Sequence, residues 1–318
     1  MGNSGYSFSA RATRSATLGY AAASAGDARV FRQNALKRVN EGMDPSQIIR
    51  REARDSEAHP LSVPIVLKLD VTGSMGRIPA ELIKGDLPHL MGHLVEGERE
   101  CPDAALLFMA VGDLFSDSGP LQVGQFESGD AELDHWLTTT WIEGNGGNND
   151  GESYSLGWLF ALNMIETDAW DKRKERGLFI SVGDEPLHRE MPVSKLRQLF
   201  GNNFDKVVEG LEFSGNTIQS ADVLAKLKKR WNVHHIQVGE GADGFHTNSW
   251  KMLGEGYHTI CRDCSVADKT REIIKAHMAS GRRSAAAVTE PAPVEAAAGE
   301  PAQPGTPTPP KASIPEPL

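Results

Sequence analysis

Cysteine is scarce in this chain. Three residues in 318 make an odd set, which argues against a disulfide framework and for a reducing compartment. Long apolar runs are missing as well: no segment reaches the roughly 18 to 20 uninterrupted apolar residues that cross a bilayer as a helix, so no membrane partner is expected. Residues 4–26 are rich in Ser, Ala and Gly and are broken by Arg11 and Arg14, so they lack the apolar core of a signal peptide. The expected location is the cytoplasm. Basic charge is in deficit, with 33 Lys and Arg against 43 Asp and Glu and a formal net charge of −10. Phosphate binding needs clustered cations, so no nucleic acid is expected as a partner. The local exception, Lys226 to Arg230, falls on a predicted surface helix and reads as a solvated face. A GxxxxGK[ST] phosphate loop is also missing, so any nucleotide hydrolysis must be performed by a separate protein.

What is present suits one α/β domain with tails. Apolar residues are 39 % of the chain, enough at this length for a substantial core. Strands are predicted at 65–70, 104–111, 121–126, 177–183 and 233–238, and helices at 131–140, after Ser153, at 220–231, around 247–253 and at 266–278. Ile78, Leu82, Leu87, Leu90, Met91 and Leu94 make a further helical stripe, in which Gly85 and Pro88 predict a kink or break. This alternation specifies a doubly wound, mostly parallel sheet sandwiched by helices. Residues 1–26 read as a flexible N-terminal segment and 27–59 as a helical extension, with Arg50, Arg51 and Arg54 on a solvated or core-clasping helix. The core domain spans 60–281. Residues 282–318, dominated by Ala, Pro, Glu and Thr, bury too little to offset their ordering entropy and are expected to be a disordered spacer.

The chemistry concentrates at the end of the first long strand. Ile65 to Leu69 is a run of mainly apolar residues that ends in Asp70, Val71, Thr72, Gly73, Ser74 and Met75. A buried strand of an α/β sheet places Asp70, Thr72 and Ser74 at its carboxyl end, where such sheets bind ligands. One carboxylate and two hydroxyls, gathered in a turn that Gly73 permits, suit a hard cation such as Mg2+, which takes a few protein oxygens and keeps several waters. The same residues also suit a capped turn.

Asp70-x-Thr72-x-Ser74 resembles the DxSxS-type signature of von Willebrand factor A (VWA) domains, and the bacterial spelling DxTGSM is present letter for letter. The resemblance implies a Rossmann-like fold, a metal-ion-dependent adhesion site (MIDAS) holding Mg2+ or Mn2+, and two later loops that complete the site. The glycine-rich stretch Glu143 to Ser153 resembles the second loop, with Asn149 or Asp150 as its metal ligand; it equally suits a flexible loop of left-handed Asn and Gly. Asp184, which ends the predicted strand 177–183, stands where the family's last aspartate ligand falls, acting through a water. Glu185 is a competing acid beside it.

The resemblance further implies a protein partner that supplies an Asp or Glu carboxylate to the metal, and for bacterial intracellular members a separate MoxR-type AAA+ ATPase. A binding or adaptor module rather than an enzyme is the expected class. A metal-dependent phosphatase or hydrolase is an alternative, weakened because Thr72 stands where dehalogenase-type enzymes place a second acid. A structural assembly protein with a stabilising metal is another. Asp113 and Asp117 read as loop caps. Cys261 and Cys264 form an isolated CxxC with His258 nearby; lacking a second pair for zinc, they read as a reduced structural pair. His234 and His235 alternate faces of a strand, so at most one is buried.

Overall fold

The computed structural model describes residues 5–20, 23, 27, 29–97, 99–144, 151–239, 244–262 and 265–280. The tail beyond residue 280 lies outside the described residues. In chain order the elements are α1 (Phe8–Leu18), α2 (Arg32–Leu36), β1 (Arg51–Ala53), β2 (Val63–Asp70), α3 (Ile78–Glu81), α4 (Leu87–Gly92), β3 (Ala104–Val111), β4 (Leu121–Glu127), α5 (Asp130–Thr139), α6 (Ser155–Met164), β5 (Ile165–Thr167) and α7 (Asp168–Arg173). They continue with β6 (Gly177–Gly183), β7 (Glu190–Pro192), α8 (Val193–Phe200), α9 (Phe204–Val207), β8 (Thr217–Gln219), α10 (Ser220–Leu227), β9 (Trp231–Val238), α11 (Gly244–Trp250), β10 (His258–Cys261) and α12 (Val266–Ala279).

Six of the strands form the central sheet in the order β10-β9-β6-β2-β3-β4, parallel except for the antiparallel pair β3 and β4. Counted within the sheet, β2 is the first strand and β6 the fourth, so the chain winds away in one direction through β3 and β4 and in the other through β6, β9 and β10. This is the doubly wound order, whose switch point lies between β2 and β6. The fold class read from the sequence is the one observed. Its helical cover forms two buried layers. One packs α6, α10 and the antiparallel pair β7–β8 against the side of β2 that carries Val66. The other packs the α3–α4 region and α12 against the side that carries Ile65, Leu67 and Leu69. Helix α6 is apolar all round and nearly all of it is buried, as expected of a helix enclosed on every face.

Local differences from the sequence reading have local causes. The stripe 78–94 does not break at Pro88: the backbone stays helical through α3 and α4, with π turns at Leu82–Asp86, around Gly85, and at His93–Gly97, and the Lys84 carbonyl, one turn before the proline that lacks an N–H, accepts from Arg11 instead. Within the segment read as flexible, residues 8–18 form α1. Ser7 caps its first turn, Gly19 ends it in left-handed backbone at φ 69°, and Arg14 ties it to Asp130 and Asp134 at 2.7 Å each. Residues 51–53 are not helical but pair in parallel with β5, and Arg54 beside them binds Glu52, Glu166, Asp168 and Asp171. The Lys226–Arg230 cluster is only partly solvated: Lys228 donates to the carbonyls of Met252 and Leu253, and Arg230 to that of Ile165.

Candidate metal centre

β2 is buried along its whole length, and side chains alternate between its faces. Lys68 and Asp70 therefore project toward α6, while Leu67 and Leu69 enter the opposite layer. Asp70 is fully buried at the strand's carboxyl end, beside the switch point. The following turn folds back on it: both the N–H and the Oγ1 of Thr72 donate to Asp70 Oδ1, at 2.9 and 2.6 Å. Gly73–Met75 form one 3-10 turn closed by Gly76 at φ 55°, which presents Ser74 to solvent.

The contacts then run outward through the oxygens. Thr72 Oγ1 lies 3.2 Å from Ser74 Oγ, and Ser74 Oγ donates to Asp184 Oδ1 at 3.0 Å. Asp184 immediately follows β6, on the other side of the switch point. Asp70, Thr72, Ser74 and Asp184, singled out from the sequence, thus meet in one hydrogen-bonded cluster that is buried at Asp70 and open at Ser74. Asn149 and Asp150 lie outside the described residues.

Three residues that sequence reasoning missed shape the cluster. Tyr154, at the start of α6, donates its hydroxyl to Asp70 Oδ2 at 2.5 Å and accepts the Glu185 N–H at 3.3 Å. It reaches Asp70 because Gly183 has no side chain; a Cβ there would fall 2.0 Å from the Tyr154 hydroxyl oxygen. Lys68 is completely buried, hydrogen-bonded to the Tyr154 carbonyl and held over the rings of Tyr154, Trp158 and Phe179 at 5.2 to 5.5 Å. A lone charge inside an apolar strand, in register with Asp70, was its visible signal. Glu152 is the third: its N–H donates to the Pro186 carbonyl at 2.8 Å and its carbonyl accepts the His188 N–H at 3.1 Å, so the second loop is pinned to the third. Tyr154 and Glu152 carried no signal of their own, because their roles exist only across loops distant in sequence.

The electrostatics follow from burial and like charge. Burial first, then the charge of Asp184, pushes the Asp70 carboxyl up to about 7, against the opposing hydrogen bonds from Thr72 and Tyr154. Burial, with the charges of Asp70 and Asp113 added, raises Glu152 to about 10. The Lys68 ammonium is driven well down by burial, with Asp70 opposing. Two carboxylates and two hydroxyls are hard oxygen donors, the set that Mg2+ and Mn2+ favour. Among the described residues no group of three or more His, Cys, Asp or Glu comes together to hold a metal.

The remaining sequence candidates fall around this cluster. Asp113 is fully buried, accepts from Ser116 at 3.0 Å and Ser153 at 3.1 Å and pairs with His188 at 3.1 Å, while Asp117 accepts the Asp113 N–H at 2.7 Å; Asp117 is a loop cap, as read, whereas the Asp113 carboxylate binds these side chains and ties the β3 loop to the other two. His235 is fully buried and stacked on Trp250 at 3.4 Å, whereas His234 is half-buried. Cys261 is disulfide-bonded, a correction to the reduced thiol expected; position 264 lies outside the described residues. Among the described residues no helix is long and apolar enough to cross a membrane.

No family model matches the sequence, and no curated protein matches it. Solved structures do. The vWF domain of the type V pili tip protein Mfa5 from Porphyromonas gingivalis aligns with TM-score 0.46 and 11 % identity over 70 % of this chain and 97 % of that one. The pilus adhesin SpaC from Lactobacillus rhamnosus GG aligns with TM-score 0.42 and 10 % identity over 71 % and 30 %. A von Willebrand factor type A protein from Catenulispora acidiphila aligns with TM-score 0.38 and 14 % identity over 68 % and 43 %. The chain thus spans less than half the length of the latter two. A doubly wound sheet with the DxTGSM turn after its first strand is the arrangement that the sequence resemblance to von Willebrand factor A domains implied.

Proposed function

We propose that this chain is a cation-dependent protein-binding module, with Asp70, Thr72, Ser74 and Asp184 holding Mg2+ or Mn2+. The observation that carries the reading is the continuous line of oxygens from buried Asp70 through Thr72 and exposed Ser74 to Asp184 at the switch point. When bound, the cation supplies an electrophilic position for an anionic oxygen of a partner, in the form of an Asp or Glu carboxylate. The chain's own residues do the rest. Thr72 and Tyr154 orient both oxygens of Asp70, and the buried strand keeps that carboxylate from moving away. Ser74, set on its 3-10 turn, keeps one side of the cluster open to an approaching side chain.

The partner class we assign is an acidic protein segment, presented with or without a separate AAA+ ATPase of the MoxR type. The test is affinity capture from native lysate in Mg2+ and again in chelator, followed by mass spectrometry, with Asp70→Ala alongside. Partners that are retained in Mg2+ and lost both in chelator and in Asp70→Ala support the reading. A partner set identical in all three rejects it.

A further inference from the structure

Glu152 does something that the cluster described so far leaves unexplained. It is 4 % exposed, its Oε2 has no hydrogen-bond partner, and the charges that bear on it, Asp70 first and then Asp113, Asp117 and Glu185, are all negative. A buried carboxylate with neither a counter-ion nor full hydrogen bonding is costly to keep. The backbone nevertheless forces it there. Its N–H and C=O are both committed to the loop after Asp184, and Gly151 before it, at φ 146°, passes so near that loop that a Cβ would lie 2.8 Å from the Pro186 carbonyl oxygen. The same loop carries Glu185, whose N–H reaches the Tyr154 hydroxyl bound to Asp70.

We propose that Glu152 is an outer carboxylate of the Asp70 centre, a positioning residue that acts on the bound cation through its hydration water. This rests on the cation reading of Asp70, Thr72, Ser74 and Asp184. Those donors are too few to fill the shell of a magnesium-type ion, which retains waters whose protons need acceptors. A buried carboxyl with a free oxygen, pinned by its backbone to the loop that follows Asp184, is such an acceptor. Its excess of negative surroundings, unfavourable without an ion, is relieved by one. Groups that hold a metal's ligands from outside typically contribute roughly 10- to 100-fold to affinity.

The experiment is calorimetric titration of the full chain with Mn2+, for wild type, Glu152→Gln, Glu152→Asp and Asp70→Ala, with the melting temperature of each measured in chelator. Glu152→Gln is expected to weaken Mn2+ binding about tenfold while its metal-free melting temperature stays at or above that of wild type, because the amide matches the carboxyl in size and can carry no charge in an all-negative surrounding. Glu152→Asp, which keeps a carboxyl, is expected to bind more tightly than Glu152→Gln. A merely structural role gives the opposite pair, a lower metal-free melting temperature with unchanged Mn2+ affinity, and that result overturns the inference while leaving the Asp70 centre standing, provided Asp70→Ala has lost binding. Failure of wild type to bind Mn2+, or binding by Asp70→Ala equal to wild type, removes the centre itself and this inference with it.

Discussion

Asp70 shows how one residue is specified by three independent contacts. Its strand buries it, Thr72 takes one oxygen and Tyr154 the other, so replacing it removes the innermost carboxylate of the cluster without touching the strand ladder. Asp70→Ala is expected to abolish Mg2+ binding by calorimetry while the circular dichroism of the sheet is retained. Gly183 is constrained just as tightly from the other side. With a Cβ 2.0 Å from the Tyr154 hydroxyl, Gly183→Ala must displace Tyr154 from Asp70, and overpacking of this kind costs about 1 to 3 kcal/mol, to be read from urea unfolding in chelator. His235 is expected to contribute to the acid limb of stability. Burial, with His258 and Lys68 adding to it, holds its pKa well below the usual histidine value, and burial alone lowers His234 to about 4. As pH falls from about 6.5, the unfolded chain takes up protons that the folded chain refuses, so these residues contribute stability above that pH and lose it progressively toward pH 4. Asp70, raised to about 7, works in the opposite sense, since between pH 7 and 4 its folded form holds the proton more tightly. A His235→Phe variant, which keeps a ring against Trp250, should therefore show a shallower loss of melting temperature between pH 6.5 and 4 than wild type; an unchanged slope would assign the acid limb to other groups.

At the scale of elements, legibility follows how local the signal is. β2, β3 and β6 were readable because a buried parallel strand is a short apolar run bounded by Pro or Gly, and α12 because Ser265 caps it by accepting the Asp268 N–H. The short strand β1 was not, because three residues become a strand only when β5 pairs with them. Helix α1 was missed for a similar reason: a Ser- and Ala-rich segment has little apolar face, and its docking depends on Arg14 reaching Asp130 and Asp134 from more than a hundred residues away. Arg14→Ala is accordingly expected to raise amide hydrogen exchange across residues 8–18 and to leave exchange in β2 and β6 unchanged. Equal protection of α1 in the variant would show that its packing, and not this ion pair, holds it.

At the scale of the whole molecule, the doubly wound order puts the ends of β2 and β6 side by side, and the cluster therefore bridges the two halves of the sheet. A cation bound there stabilises both together. At a concentration of about 100 times its dissociation constant, a ligand specific for the folded state adds about 2.7 kcal/mol, which for a domain of this size is a rise of roughly 5 to 10 °C in melting temperature. Mg2+ is expected to produce such a rise in wild type and none in Asp70→Ala. Equal shifts in both would place the ion elsewhere.

The sequence by itself determined the fold class, through the alternation of strand and helix signals along the chain, and the strand ends that carry Asp70 and Asp184 with the hydroxyls of Thr72 and Ser74, because each of these signals spans a dozen residues or so. Tertiary structure decided what surrounds them. Tyr154 meets Asp70 through the gap left by Gly183, Lys68 finds three aromatic rings, and Glu152 is carried into acidic company by a clasp to residues 186 and 188. These are contacts between segments that only the winding of the sheet brings together, and no periodicity or spacing along the chain encodes such a distance.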